Sequence, residues 1–112
     1  DTDLDIILKE ELSKEGFDVI VAKNGIEGLV EAKKDHPDLI LLDLLMPEMD
    51  GMTMLKKIRE DEWGKTAKVI ILTNLEDSNS ISNSIDNGVY YYFIKSDWKM
   101  KDLISKIRKI LN

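Results

Sequence analysis

Leu39-Ile40-Leu41-Leu42-Asp43 is four aliphatic residues closed by an acid, and a second run of the same kind, Val69-Ile70-Ile71-Leu72-Thr73, follows later in the chain. Neither run alternates apolar with polar side chains, as a strand with one wet face would. Both have the unbroken apolarity of strands covered on both faces of a parallel sheet. With its flank, the first reads as a strand over Asp38 to Leu42 and the second as a strand over Ala67 to Thr73. Strands buried on both sides require helices on both sides.

Working outward, helical spacing appears between them. Leu4, Ile7, Leu8 and Leu12 recur on one helix face that stops at Gly16, a residue suited to a left-handed cap. Phe17 to Ala22 is rich in Val and Ile and reads as a short strand closed by Asn24-Gly25. Ile26, Leu29, Val30 and Ala32 give a second helix that ends near His36-Pro37, and Met52, Leu55 and Ile58 give a third. From Asn74 to Asn87, four Ser and four Asn compete for backbone hydrogen bonds, so a helix marked by Ile81 and Ile85 is expected to be weak and mobile. Gly88 ends that segment, and Tyr90 to Ile94 reads as a strand. Met100, Leu103, Ile104, Ile107 and Ile110 make a last amphipathic helix, with Ser96 or Asp97 expected as its N-cap. The order αβαβαβαβα describes an α/β fold with a doubly wound parallel sheet, one domain over residues 1–112. In such sheets ligands gather at the carboxyl ends of the strands, where Asp43, Thr73 and Lys95 fall.

Composition narrows the chemistry. Sixteen Lys plus Arg against 22 Asp plus Glu leave a net charge of -6, which disfavours direct nucleic-acid binding. The absence of Cys removes disulfide scaffolds, Cys-ligated metals and thiol catalysis and agrees with a cytoplasmic location. The aliphatic runs are far shorter than the roughly 20 residues of a membrane span, and no signal peptide opens the chain. His36, the single His, precedes Pro37 with no second imidazole to share a metal and reads as a surface loop residue. Met46, Met49, Met52 and Met54 read as packing around a loop and a helix start, and Trp98 as an anchor for a partner or a cap on the core. No GxGxxG or equivalent phosphate loop is present.

The segment Leu41-Leu42-Asp43-Leu44-Leu45-Met46-Pro47-Glu48-Met49-Asp50-Gly51, followed by strand-terminal Thr73 and Lys95, with Gly16 and Gly88 also in place, resembles the receiver domain of bacterial response regulators over nearly the whole chain. The resemblance implies a flavodoxin-like sheet in the order 2-1-3-4-5 with a phosphoaccepting Asp after the third strand, the position of Asp43. It implies Mg²⁺ held by Asp43 and the main-chain carbonyl of Leu45, Lys95 paired with a phosphoryl oxygen, and Thr73 donating to another. Tyr92 matches the aromatic that responds to Thr73 in the family, although Tyr90, Tyr91 and Tyr92 also suit plain packing. Asp50-Gly51 reads as turn chemistry entering the third helix. A haloacid-dehalogenase-like phosphatase would want a second Asp two residues after Asp43, where Leu45 stands.

Two features depart from the family pattern. Counted back from Gly16, the family's metal-binding acidic pair falls just before Asp1, so the first strand and that pair are expected to lie outside this sequence unless Asp1 or Asp3 substitutes, with weaker Mg²⁺ binding as a result. A sheet without that strand would have two unpaired edges, which a further upstream segment or strand exchange between copies in a homo-oligomer would cover. Ser96 stands where the family commonly has Pro after the Lys; a cis peptide before Ser would cost about 2.5–4 kcal/mol, so a trans path is expected. The resemblance therefore implies a non-enzymatic phosphoacceptor in two-component signalling, taking a phosphoryl group from a sensor histidine kinase or phosphotransfer protein and presenting a changed surface to an output protein. The alternative is a pseudo-receiver, a protein-interaction module of the same fold that is not phosphorylated.

Overall fold

The computed structural model describes residues 2–22, 24–43, 49, 51–73, 91–94 and 99–112. These form helix α1 (Thr2–Lys14), helix α2 (Gly25–Asp35), strand β1 (Ile40–Asp43), helix α3 (Gly51–Glu60), a 3₁₀ turn (Trp63–Thr66), strand β2 (Val69–Thr73), strand β3 (Tyr91–Ile94) and helix α4 (Met100–Leu111). The three strands are parallel in the order β1-β2-β3, with Ile40 opposite Val69, Asp43 opposite Leu72, Ile70 opposite Tyr91 and Thr73 opposite Ile94.

The unbroken apolar runs divide by parity between two cores. Ile40 and Leu42 of β1 and Val69 and Ile71 of β2 face Ala32 of α2 and Met54, Leu55 and Ile58 of α3. Leu41 of β1 and Ile70 and Leu72 of β2 face Leu8 and Leu12 of α1 and Leu103 and Ile107 of α4. A strand whose successive side chains each meet a helix layer must be apolar at every position, and this is the reason for the two sequence runs.

The end of α1 shows how local sequence sets the path. Gly16 adopts φ +92°; the Phe17 amide donates to the Leu12 carbonyl at 3.2 Å and the Gly16 amide to Ser13 at 3.1 Å, a Schellman cap. Phe17 and Leu12 then join the same core, closing the turn with an apolar contact. A Cβ at Gly16 would meet nothing within 4 Å, so only the dihedral penalises a side chain there. Gly16→Ala should cost about 1 kcal/mol, and Gly16→Asn less, since Asn tolerates the left-handed region. Urea midpoints for the two variants check this, and a Gly16→Ala midpoint at or above wild type would contradict it.

Four expectations require correction. Phe17 to Ala22 carries no strand: Phe17 and Val19 do pack on the α1/α4 core while Asp18 and Ile20 are exposed, but among the described residues no neighbouring strand supplies a ladder. In α1 the buried stripe is Leu8 and Leu12, with Ile7 half exposed. In α2, Ile26 and Val30 are exposed and the inner face is Gly25, Gly28, Leu29 and Ala32, with Gly25 against Met49 and Gly28 against Met54 of α3. Helix α4 is capped by Lys99, with extended dihedrals and no side-chain hydrogen bond, not by Ser96 or Asp97. The Asn74–Asn87 helix lies outside the described residues. Among these residues, no helix is long and apolar enough to cross a membrane.

Candidate functional site

Parallel pairing aligns the carboxyl ends of the strands. Asp43 is the last residue of β1, one position inside the strand end where the sequence put it just beyond, and Thr73 is the last residue of β2, as the sequence range Ala67 to Thr73 has it. The register sets Asp43 against Leu72, so Thr73 stands one residue further along the same edge. Thr73 in turn pairs with Ile94, the last residue of β3, and Lys95 follows it in the chain. Tyr92 lies in β3 opposite Ile71. Asp43 is partly buried and takes part in a further interaction. Lys95, Leu45, Met46, Asp50, Tyr90, Ser96 and Trp98 lie outside the described residues.

The chain that leaves Asp43 re-enters the structure at Met49 and Gly51. Met49 and Met52 are partly buried against the α2/α3 core and Met54 is fully within it, as packing residues should be. Gly51 opens α3 and is buried. Across from this segment, Asn24 caps α2: its Oδ1 accepts from the Glu27 amide at 2.9 Å, which satisfies a helix donor left without a partner. Helix α2 thereby begins at Gly25, directly against the Met49 backbone.

His36 is exposed, but it is more than a loop residue. It ends α2 in the left-handed region at φ 47°, its amide donating to the Ala32 carbonyl at 3.0 Å, and its ring stacks on Trp63 at 4.7 Å between centroids. Neither the cap nor the stack was legible, since His rarely takes this conformation and Trp63 is remote in sequence. His36, Asp38, Trp63 and Lys68 line an open cavity of about 460 Å³. Asp38 and Lys68 precede β1 and β2, so this cavity is at the amino edge of the sheet, opposite the Asp43 edge.

Asp43 and Thr73 thus end adjacent parallel strands at the carboxyl edge of the sheet, the edge where ligands of doubly wound folds gather. The chain belongs to the response regulator receiver domain family, whose pattern it matches over residues 1–108. It is similar to the chemotaxis protein CheY of Bacillus subtilis, 31% identical over 108 residues that cover 96% of this chain and 88% of that protein. It is also similar to the probable transcriptional regulator ycf27 of Porphyridium aerugineum, 35% identical over 105 residues, 94% of this chain but 42% of that protein. The chain thus spans about two fifths of the length of that regulator. The receiver domain of the sensor histidine kinase PA1611 from Pseudomonas aeruginosa, solved with magnesium in its active-site cleft, shares the fold with a TM-score of 0.89 at 23% identity, over 99% of this chain and 90% of that one. The protein is therefore a receiver domain of two-component signalling, a family whose standard role is to accept a phosphoryl group.

Proposed function

We propose that Asp43 is the phosphoacceptor, that Thr73 and Lys95 serve the transferred group, and that Tyr92 responds to its arrival. The observation that supports this best is the register, in which Asp43, Thr73 and the residue before Lys95 end three adjacent parallel strands. A carboxylate oxygen of Asp43 attacks the phosphorus of a phosphohistidine on a kinase or phosphotransfer protein. The new O–P bond forms as the P–N bond breaks, and the imidazole leaves with the electron pair and gains a proton. The product is an acyl phosphate.

Two anions approach in this step, so fixed positive charge and donors must meet the developing phosphoryl oxygens. Lys95 brings the ammonium and Thr73 a hydroxyl donor. The donor chemistry also fits Mg²⁺, a hard cation that takes oxygen ligands, keeps several waters and needs only one or two carboxylates. Asp43 and the Leu45 carbonyl would hold it. When bound, it neutralises charge on the phosphoryl oxygens. The rest follows from this chain: Tyr92 sits one strand from Thr73, so a hydroxyl drawn toward the phosphoryl group leaves space that an aromatic side chain can take. The altered surface is what an output partner reads. The domain acts as a cytoplasmic, non-enzymatic switch, with a sensor histidine kinase or phosphotransfer protein upstream.

The test is incubation with acetyl phosphate and Mg²⁺ followed by intact mass and peptide mapping. One phosphoryl group is expected, on the peptide containing Asp43. A protein that takes no label supports the pseudo-receiver reading instead.

A further inference from the structure

We propose that the cavity at the amino edge of the sheet is a binding site for a guanidinium, the planar cation of arginine and its derivatives, seated between the Asp38 carboxylate and the paired rings of His36 and Trp63. The site stands apart from the Asp43 edge and does not depend on the phosphoacceptor reading.

Its walls are fixed by the fold itself. Trp63 packs on the α2/α3 core, and its amide donates to the Asp61 carboxylate at 3.0 Å. His36 is held by its left-handed cap on α2, and its ring lies within 5° of parallel to the Trp63 ring at 4.7 Å between centroids. Pro37 restricts the backbone between His36 and Asp38. Lys68 is tied twice: its carbonyl accepts from the Ile40 amide at 2.9 Å, and its Nζ donates to the Ile110 carbonyl at 3.2 Å. The space these residues enclose, about 460 Å³, is of the size that takes a small ligand or one long side chain.

Charge decides what fits. Asp38 is exposed, and among the described residues its carboxylate has no hydrogen-bond or ion-pair partner. His36 and Leu111 bring the carboxyl ends of α2 and α4 to the cavity wall, and such helix ends carry partial negative charge. The basic residues of those last turns, Lys33, Lys34, Arg108 and Lys109, do not line the cavity. Lys68 does, but its ammonium already serves the Ile110 carbonyl at the end of α4. An anion would therefore meet Asp38 and two negative helix ends. A divalent metal would lack ligands, because among the described residues no group of three His, Asp or Glu is placed to hold one. A guanidinium suits what remains: its N–H fork matches a carboxylate, and its flat face stacks on aromatic rings. An ammonium brings the same charge to Asp38 but has no plane to stack.

The experiment titrates the protein with agmatine, which joins a guanidinium to a primary amine, and with cadaverine, a diamine of the same charge and no planar group. The Trp63 indole N–H and the Asp38 and Thr66 amides are followed by NMR. Agmatine should shift these signals saturably with a Kd on the order of 1 mM. Cadaverine should bind about 2- to 5-fold more weakly for want of stacking, and inorganic phosphate should leave the signals in place. Asp38→Asn should weaken agmatine binding about 5- to 10-fold, whereas Asp18→Asn, the same charge change at an exposed position outside the cavity, should leave it unchanged. Circular dichroism checks that both variants are folded. A blocked Gly-Arg-Gly peptide distinguishes the two sources of a guanidinium. Binding as tight as that of agmatine assigns the site to an arginine side chain of a partner protein, and weaker binding assigns it to a free small molecule. No shift with agmatine, cadaverine binding as tightly as agmatine, a response to phosphate in its place, or agmatine binding unaltered by Asp38→Asn would each overturn the proposal.

Discussion

Asp43→Asn should abolish phosphorylation by acetyl phosphate and Mg²⁺ while leaving the fold intact. The amide has nearly the shape of the carboxylate but no negative oxygen to attack phosphorus, and it is a poorer ligand for a hard cation. The backbone pairing of Asp43 with Leu72 does not depend on the side chain, so the strand should persist and circular dichroism should match wild type. Asp38→Asn is the control: Asp38 is exposed and precedes β1 at the opposite edge, so this variant should label fully. Lys95→Ala should label about 100- to 1,000-fold more slowly, the usual consequence of losing one positioned electrostatic group. Undiminished labelling of Asp43→Asn, read by intact mass, would remove Asp43 from its role.

How much of this was legible in the sequence depends on the range of the interaction. The runs at 39–42 and 69–72 were decisive because burial on both faces leaves a local mark, every residue apolar, and the two cores bear this out residue by residue. Gly16 was legible because a helix pattern that stops at glycine has one common cause. Strand ends placed Asp43 and Thr73 to within one residue. The segment Phe17 to Ala22 misled because β-propensity reports a side-chain pattern, whereas a strand also needs a hydrogen-bonded neighbour that composition does not disclose. The inner face of α2 misled for the opposite reason. Ile26 and Val30 are the more apolar residues, yet Gly25 faces the Met49 backbone and Gly28 the Met54 side chain of α3, and those approaches are set by tertiary packing. Met49 entered the reading only as a packing residue, since nothing local ties it to Gly25.

Gly64→Ala should be strongly destabilising even though Gly64 sits in what reads as an ordinary polar turn, Glu62-Trp63-Gly64-Lys65. A Cβ there would collide with the Ile58 carbonyl oxygen and fall 2.9 Å from the Ile58 Cγ2. Ile58 cannot retreat, because its side chain is completely buried between α3 and the sheet. Its carbonyl also accepts from the Asp61 amide at 3.1 Å, so displacing it breaks the bond that turns the chain out of α3. The 3₁₀ turn cannot retreat freely either. Arg59 Nη1 donates to the Gly64 carbonyl at 2.6 Å and to the Ala67 carbonyl at 2.8 Å, clamping both ends of the turn, and Trp63 is stacked on His36. Relieving the overlap therefore sacrifices hydrogen bonds worth about 1 kcal/mol each, more where a charged donor is involved, and core packing besides. A loss of about 3 kcal/mol is expected, equivalent to a fall in Tm on the order of 10 °C for a domain of this size. A thermal melt measures it, and a Tm equal to wild type would mean that the turn yields without cost. The same turn delivers the chain from α3 to Val69, the first residue of β2, and so to Thr73 at the other end of that strand. A partly folded Gly64→Ala protein should accordingly lose phosphorylation in proportion to its unfolded fraction, whereas Asp43→Asn loses it while fully folded.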